Sequence, residues 1–201
     1  MKSKRTDHLI ISDMVEKFSR VLDVGCADGQ LLHLLRNKKD ISGQGIEINY
    51  DKVEVCLKKG LSVVEGDANK EIINFPKNSF DYVILSQTLQ TVQRPSWILE
   101  EILRVGKKAI ISFPNFGHWS CRYQLCMYGK MPITEELKLA WYDTQNIHLC
   151  TLKDFQNLIR KLGFKIEKRY GIDKNKNIIK NLSGTNYLNL FAAHAVFLIS
   201  N

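Results

Sequence analysis

Apolar residues in this chain fall into short solid runs, and the segments between the runs carry their apolar residues at helical spacing. The runs around Val21–Leu22 and Val24, over Gly43–Ile48, Leu61–Val64, Phe80–Leu85 and Lys108–Phe113 have strand length. Phe80–Leu85 is almost wholly apolar, as in a strand covered on both faces. Between the runs, Gln30–Asn37, Asp51–Lys59 and Trp97–Val105 predict helices. The second stops at Gly60 in the manner of a C-cap, and the third opens at Ser96 with Glu100 a helical turn on. Glu71–Phe75 reads as a short helix or turn. An opening helix over Asp7–Phe18 places Leu9, Ile10, Met14, Val15 and Phe18 at helical spacing, and such a helix can close over the end of the first strand. Farther on, Leu152–Leu162 predicts a helix stopped by Gly163, and Phe164–Tyr170 and Ala192–Ser200 predict strands. Alternation of this kind predicts an α/β fold with a doubly wound, mainly parallel sheet in a single domain over residues 1–201. A hairpin-like return from 164–170 to 192–200 puts an antiparallel strand at one edge. Residues 171–189, rich in Asn and Lys, read as loosely ordered.

The first strand exit carries the chemistry. Arg20–Val21–Leu22–Asp23–Val24–Gly25–Cys26–Ala27–Asp28–Gly29–Gln30 reads as buried strand, glycine turn and helix start. Glycine lets backbone N–H groups approach a ligand without a Cβ between them, and a helix N-terminus carries partial positive charge. In βαβ folds the ligand lies at the carboxyl end of the first strand. Asp23 separates this turn from a dinucleotide site, because a carboxylate there repels a pyrophosphate but suits the ammonium of a methionine moiety. The expected ligand is therefore S-adenosylmethionine. Glu47 follows Gly29 by roughly the 20 residues at which βαβ nucleotide folds place an acid for both ribose hydroxyls. Asp67, after the third strand, is a natural acceptor for an adenine amino group. The candidate cofactor residues are thus Asp23, Gly25, Cys26, Ala27 and Gly29, then Glu47 and Ile48, Asp67 and Ala68, and Ser86 and Gln87. After Ser86–Gln87–Thr88–Leu89–Gln90 there is no Asn/Asp-Pro-Pro-aromatic tetrapeptide, the clamp by which amino-methylating enzymes hold a planar nitrogen.

Residues 114–150 form a connection far longer than the usual 2–6 residues and unusually rich in aromatics, which marks a lid or a contact surface. Three readings compete there. His118, Cys121, Cys126, His148 and Cys150 are soft metal ligands by type, but their spacing matches no compact zinc pattern, so no metal is expected. His118 or His148, with Tyr142 or Asp143, are candidates for acid–base function. Trp119, Trp141 and Tyr142 are residue types that anchor protein interfaces.

Composition narrows the class. The 201 residues are 44% hydrophobic and 25% charged, as in a soluble globular protein. No apolar run reaches the roughly 18 residues of a membrane helix, and the basic Met1–Lys2–Ser3–Lys4–Arg5 lacks the apolar stretch of a signal peptide. Five cysteines, none in a Cys-x-x-Cys pair, suit reduced thiols and a cytoplasmic location. The net charge of +8 raises RNA modification as an alternative. The lysines are spread over every segment, though, and the densest group, from Lys165 to Lys180, lies in a polar stretch. A solvated surface is expected, not a nucleic-acid interface.

The chain resembles the methionine biosynthesis protein MetW family along its length to Gly163. The likeness covers Arg20–Cys26, Gly45–Ile46–Glu47 and Phe80–Gln90, then Pro114–Asn115–Phe116–Gly117–His118–Trp119, Gly129–Lys130–Met131–Pro132 and Trp141–Tyr142–Asp143–Thr144–Gln145–Asn146–Ile147–His148–Leu149–Cys150–Thr151. The first group is common to class I methyltransferase-like proteins, and the later stretches are specific to the family. Ala27 stands where the family usually has glycine, and Gln145 where it usually has proline. The resemblance implies the Rossmann-like class I methyltransferase fold with a long insertion after strand five. It also implies an accessory role: binding S-adenosylmethionine or S-adenosylhomocysteine and supporting a homoserine O-acyltransferase as partner. The alternative is an S-adenosylmethionine-dependent methyltransferase acting on a small molecule.

Overall fold

Asp23 pairs in register with Gly45 on one side and Ile84 on the other, and this pairing sets the middle of the sheet. The computed structural model describes residues 5–134, 137, 139–180 and 184–201. Five strands, β1 (Arg20–Val24), β2 (Ser42–Glu47), β3 (Ser62–Glu65), β4 (Phe80–Ser86) and β5 (Gly106–Pro114), run parallel. They are joined by α2 (Gln30–Lys39), α3 (Tyr50–Lys58), the single turn α4 (Ala68–Glu71) and α5 (Pro95–Val105). Three further strands are β6 (Lys165–Ile172), β7 (Ile178–Ile179) and β8 (His194–Ser200). The sheet order is β3-β2-β1-β4-β5-β8-β6-β7, with β8 antiparallel to β5 and β6, and β7 antiparallel to β6. The doubly wound, mainly parallel sheet is the one the alternating pattern predicts, with its antiparallel pairings gathered at one side.

Strand alternation divides the core into two layers. Val21, Tyr82, Ile84, Ile110, Val196 and Leu198 face α1 (Thr6–Met14) and α2 through Ile10, Ile11, Leu32 and Leu35. Leu22, Val24, Val83, Leu85, Ile111 and Phe197 face α5 and α7 (Leu152–Lys161) through Ile98, Leu99, Ile102 and Phe155. Phe113, Phe155 and Phe197 are fully buried and mutually in ring contact, at centroid distances of 4.8–5.9 Å.

Several elements differ from the sequence expectation. α1 ends at Met14, not Phe18, because Val15 is extended and Phe18 turns outward at φ +60° to lead into β1. α5 begins at Pro95, the favoured first position of a helix, so Ser96 lies inside the helix and caps nothing. The long connection contains a helix, α6 (Trp119–Tyr128), and the Asn-rich stretch contains β7 and α8 (Thr185–Phe191). α8 is only seven residues long and its sequence signal is weak; the burial of Leu188 and Ala192 against the sheet gives it a place.

Candidate functional site

At the carboxyl ends of β1 and β4, under α1, lies a partly open cavity of about 100 Å³. Arg5 and His8 enter it from the start of the chain; Asp23, Gly25, Cys26, Ala27 and Asp28 from the β1 exit; and Ser86 from β4. Its volume suits an amino-acid head group, not a whole nucleoside, since ligand pockets usually run from about 300 Å³.

Asp23 is 1% exposed, and its Oδ1 has no hydrogen-bond partner among the described residues. Burial pushes its carboxyl up to about 7; Arg5 opposes that shift and Glu47 adds to it. A buried acceptor left unpaired is costly, and a cationic or hydrogen-donating group entering the cavity would relieve that cost.

The turn itself needs glycine. Gly25 has φ +75°, and a Cβ there would sit 2.6 Å from Thr88 Oγ1. The turn amides, however, are not presented to a ligand as the glycine pattern suggests. Gly25 N–H and Cys26 N–H both donate to Ile46 O, at 2.8 and 3.1 Å, and Gly29 N–H donates to Cys26 O at 2.9 Å. Ala27 N–H donates to Glu47 Oε2 at 2.8 Å. Hydrogen-bonding capacity in the cavity therefore comes mainly from side chains.

The cation in that set is Arg5. Its Nη2 donates to Asp7 Oδ2 at 2.5 Å and to Ser86 Oγ at 3.2 Å, while Nε donates to Asp7 Oδ1 at 3.1 Å. Ser112 Oγ also donates to Asp7, at 3.3 Å, so α1 is clasped to the ends of β4 and β5. Burial alone would raise the Asp7 carboxyl, but Arg5 holds it below its ordinary value. Burial, then Arg5, lowers His8 to about 4, so its ring is neutral at pH 7. Neither Arg5 nor His8 was a sequence candidate. Their one sequence signal is a basic residue just ahead of an amphipathic helix.

Glu47, Ile48, Asp67, Ala68 and Gln87, the other candidates at the strand exits, do not line this cavity. Glu47 is buried, its second oxygen accepting from Asn49 N–H at 3.0 Å, and Ile48 next to it is 69% exposed. Gly66 N–H donates to Glu47 O, joining the β3 exit to the β2 exit. Asp67 caps α4, Oδ1 accepting from Asn69 N–H at 2.9 Å, and Ala68 opens that turn. Gln87 adopts φ +60° and donates its N–H to Ser112 O at 2.9 Å.

The residues singled out within 114–150 do not line the cavity. His118 is buried and caps α6, its Nδ1 accepting from Ser120 N–H at 3.2 Å. His148 lies 3.4 Å from Gln93 O through Nε2. Trp141 and Tyr142 are each 71% exposed and meet edge to face at 5.7 Å; Asp143 beside them is exposed, and Trp119 is half exposed. Asn115 is the organising residue that sequence reasoning passed over. It is buried, donates through Nδ2 to Asn189 O and Ala192 O, and accepts Gly117 N–H and Leu152 N–H through Oδ1. Among the described residues, no three metal-ligating side chains cluster, and no helix is long and apolar enough to cross a membrane.

Comparison with known proteins follows the same lines. The family profile described as "Methionine biosynthesis protein MetW" matches residues 5–199. The bifunctional methionine biosynthesis protein MetXA/MetW of Rhodopirellula baltica is 32% identical over 183 residues, 86% of this chain, and the match spans only 29% of that relative's length. A demethylmenaquinone methyltransferase of Listeria monocytogenes is 28% identical over 171 residues, covering 75% of this chain and 71% of the relative. Among solved structures, an S-adenosylmethionine-dependent methyltransferase of Mesorhizobium loti superposes with a TM-score of 0.71 over 98% of this chain and 99% of that one, at 14% identity. The fold is that of class I S-adenosylmethionine-dependent methyltransferases.

Proposed function

The chain belongs to the methionine biosynthesis protein MetW family, and we propose that it is a cytoplasmic accessory protein that binds S-adenosylmethionine or S-adenosylhomocysteine and supports a homoserine O-acyltransferase. The carrying observation is the buried Asp23 with its unpartnered oxygen beside Arg5 in a head-group-sized cavity. Asp23 would take the ligand's α-ammonium and Arg5 its α-carboxylate. Glu47 would take the ribose hydroxyls, since a carboxylate has acceptor sites to spare beyond the two backbone N–H groups it holds. Ile48 supplies an apolar contact and Asp67 an acceptor for the adenine amino group. When bound, S-adenosylmethionine supplies an electrophilic methyl group.

The accessory role ranks ahead of methyl transfer because the acid–base candidates His118, Tyr142, Asp143 and His148 stand outside the cavity. His8 does line it, its ring neutral at pH 7 and a weaker base than a free imidazole because of burial. Support for the partner comes from the Rhodopirellula baltica relative, a bifunctional MetXA/MetW protein, and from the exposed aromatics of 114–150. The test measures acyltransferase turnover and thermal stability with and without this chain, in parallel with calorimetry using both adenosyl ligands. Raised turnover together with ligand binding supports the proposal. A partner indifferent to the chain removes the accessory role.

A further inference from the structure

A second cavity of about 310 Å³ lies away from the first, where the β4 exit, the end of the long connection and α7 meet. Leu89, Ile147, Leu149, Phe155 and Leu158 give it apolar walls. Cys150 adds a thiol that burial pushes up to about 12, so it stays uncharged. A volume of this order is that of a small-molecule site.

Gln90 is the polar group in this lining that points to a ligand. It is 6% exposed, and its Nε2 donates to Gln87 O at 2.8 Å. That bond settles which way the amide faces and leaves Oε1 buried without a partner among the described residues. Gln90 also joins two segments. Its main-chain O accepts Ile147 N–H at 3.0 Å and His148 N–H at 3.1 Å. An occupant bonded to Oε1 would thus touch the residue that ties the connection to the β4 exit. The one carboxylate of this lining, Asp154, is already engaged through Oδ2 with Thr151 N–H and O–H.

We propose that this cavity is a ligand site for a small, mainly apolar molecule bearing one N–H or O–H donor, read by Gln90 Oε1. The site is independent of the adenosyl reading, since it shares no lining residue with the first cavity.

Two isomers test it on the full chain by NMR titration. Benzyl alcohol and anisole have the same atoms and nearly the same shape, but only the alcohol donates a hydrogen bond. Benzyl alcohol should bind with Kd on the order of 1 mM, as ligands of so few atoms do. It should shift the Gln90 side-chain amide and the Ile147 and Leu149 main-chain amides, with a relayed shift at Gln87. Anisole should bind roughly three- to tenfold more weakly, the worth of one hydrogen bond. Gln90→Leu should erase the difference between the isomers, and Leu149→Trp, at a partly exposed wall position, should block both. If Gln90→Leu does not fold, the isomer difference and the Leu149→Trp block decide alone. Equal binding of the isomers, shifts elsewhere, or binding that survives Leu149→Trp would overturn the proposal.

Discussion

Glu47 Oε2 holds Ala27 by its backbone N–H at 2.8 Å, across the gap between the β2 exit and the glycine turn of β1. The same carboxylate therefore shapes the turn and is the acid proposed for the ribose. Glu47→Gln keeps its size but turns an amide NH₂ toward one of two N–H donors. Hydrogen bonds to charged acceptors are worth about 1.5–3 kcal/mol, so adenosyl-ligand affinity should fall roughly tenfold or more. A stability loss of about 1–2 kcal/mol should accompany it. Calorimetry and a thermal melt on the same variant separate the two effects, and unchanged affinity would place the ribose elsewhere.

Ala27 is held at φ +49°, where a Cβ is crowded by the carbonyl that follows. Ala27→Gly relieves that crowding but loosens the unfolded chain. The net change should lie between zero and about 1 kcal/mol of stabilisation. Ala27→Val, branched at Cβ, should destabilise by about 2 kcal/mol. Urea unfolding of the pair checks the sign of each.

The pH dependence of stability should carry the mark of Asp23. Its folded value, about 7, lies above the ordinary 3.8, so the folded state holds a proton that the unfolded chain has released. That proton lowers stability as pH rises from about 4 to about 7, by up to about 1.4 kcal/mol per pH unit. His8 gives the opposite slope over most of the same window, being neutral in the fold above about 4 but protonated in the unfolded chain up to its ordinary 6.5. The two should nearly cancel in the wild type, and Asp23→Asn should leave stability rising with pH between about 4 and 6.5. Asp7, lowered by Arg5, acts in the opposite direction: its contribution is present above pH 3.8 and fades on further acidification. Because an ammonium prefers the ionised carboxylate, adenosyl-ligand binding should strengthen as pH rises through 7. Melts and calorimetry across pH 4 to 8 check both trends, and an Asp23→Asn profile with the same slope as the wild type would contradict the Asp23 assignment.

His118 works as a helix cap in this fold, so its substitution should read as stability, not chemistry. His118→Ala should cost about 1 kcal/mol, and His118→Asn, a strong capping residue, should restore most of it. If the asparagine variant melts normally yet abolishes support of the acyltransferase, the imidazole has a role beyond capping.

Trp141 is exposed enough that truncation should leave the melt unchanged. As an interface anchor, Trp141→Ala should weaken complex formation with the acyltransferase by about 2 kcal/mol or more. Adenosyl-ligand binding should stay as it was, because the lining of the first cavity comes from the chain start, the β1 exit, the first residues of α2 and the β4 exit. Weakened ligand binding with an intact complex would make 114–150 a lid instead.

The periodicity of the apolar runs was enough to place β1 to β5 and the helices between them, because each run is a local signal that any buried sheet must satisfy. Gly25 and Asp23 stood out for the same reason: a left-handed turn and an acid inside an apolar run are both visible locally. What no local pattern contains is which distant residues meet. Arg5, Asp23 and Ser86 come together only because α1 packs over two strands separated by some sixty residues of chain. The turn amides looked available to a ligand in the sequence, yet strand pairing brought Ile46 O and Glu47 close enough to take them. Likewise, α8 exists where Leu188 finds a buried face, and Gln90 is left with an unpaired oxygen only because residues 147–150 fold back onto it. Local sterics and hydrophobic period set the elements and the character of the first strand exit. The tertiary structure alone decided which polar groups are satisfied within the protein and which remain for a ligand, because hydrogen bonds and desolvation depend on neighbours far away in the chain.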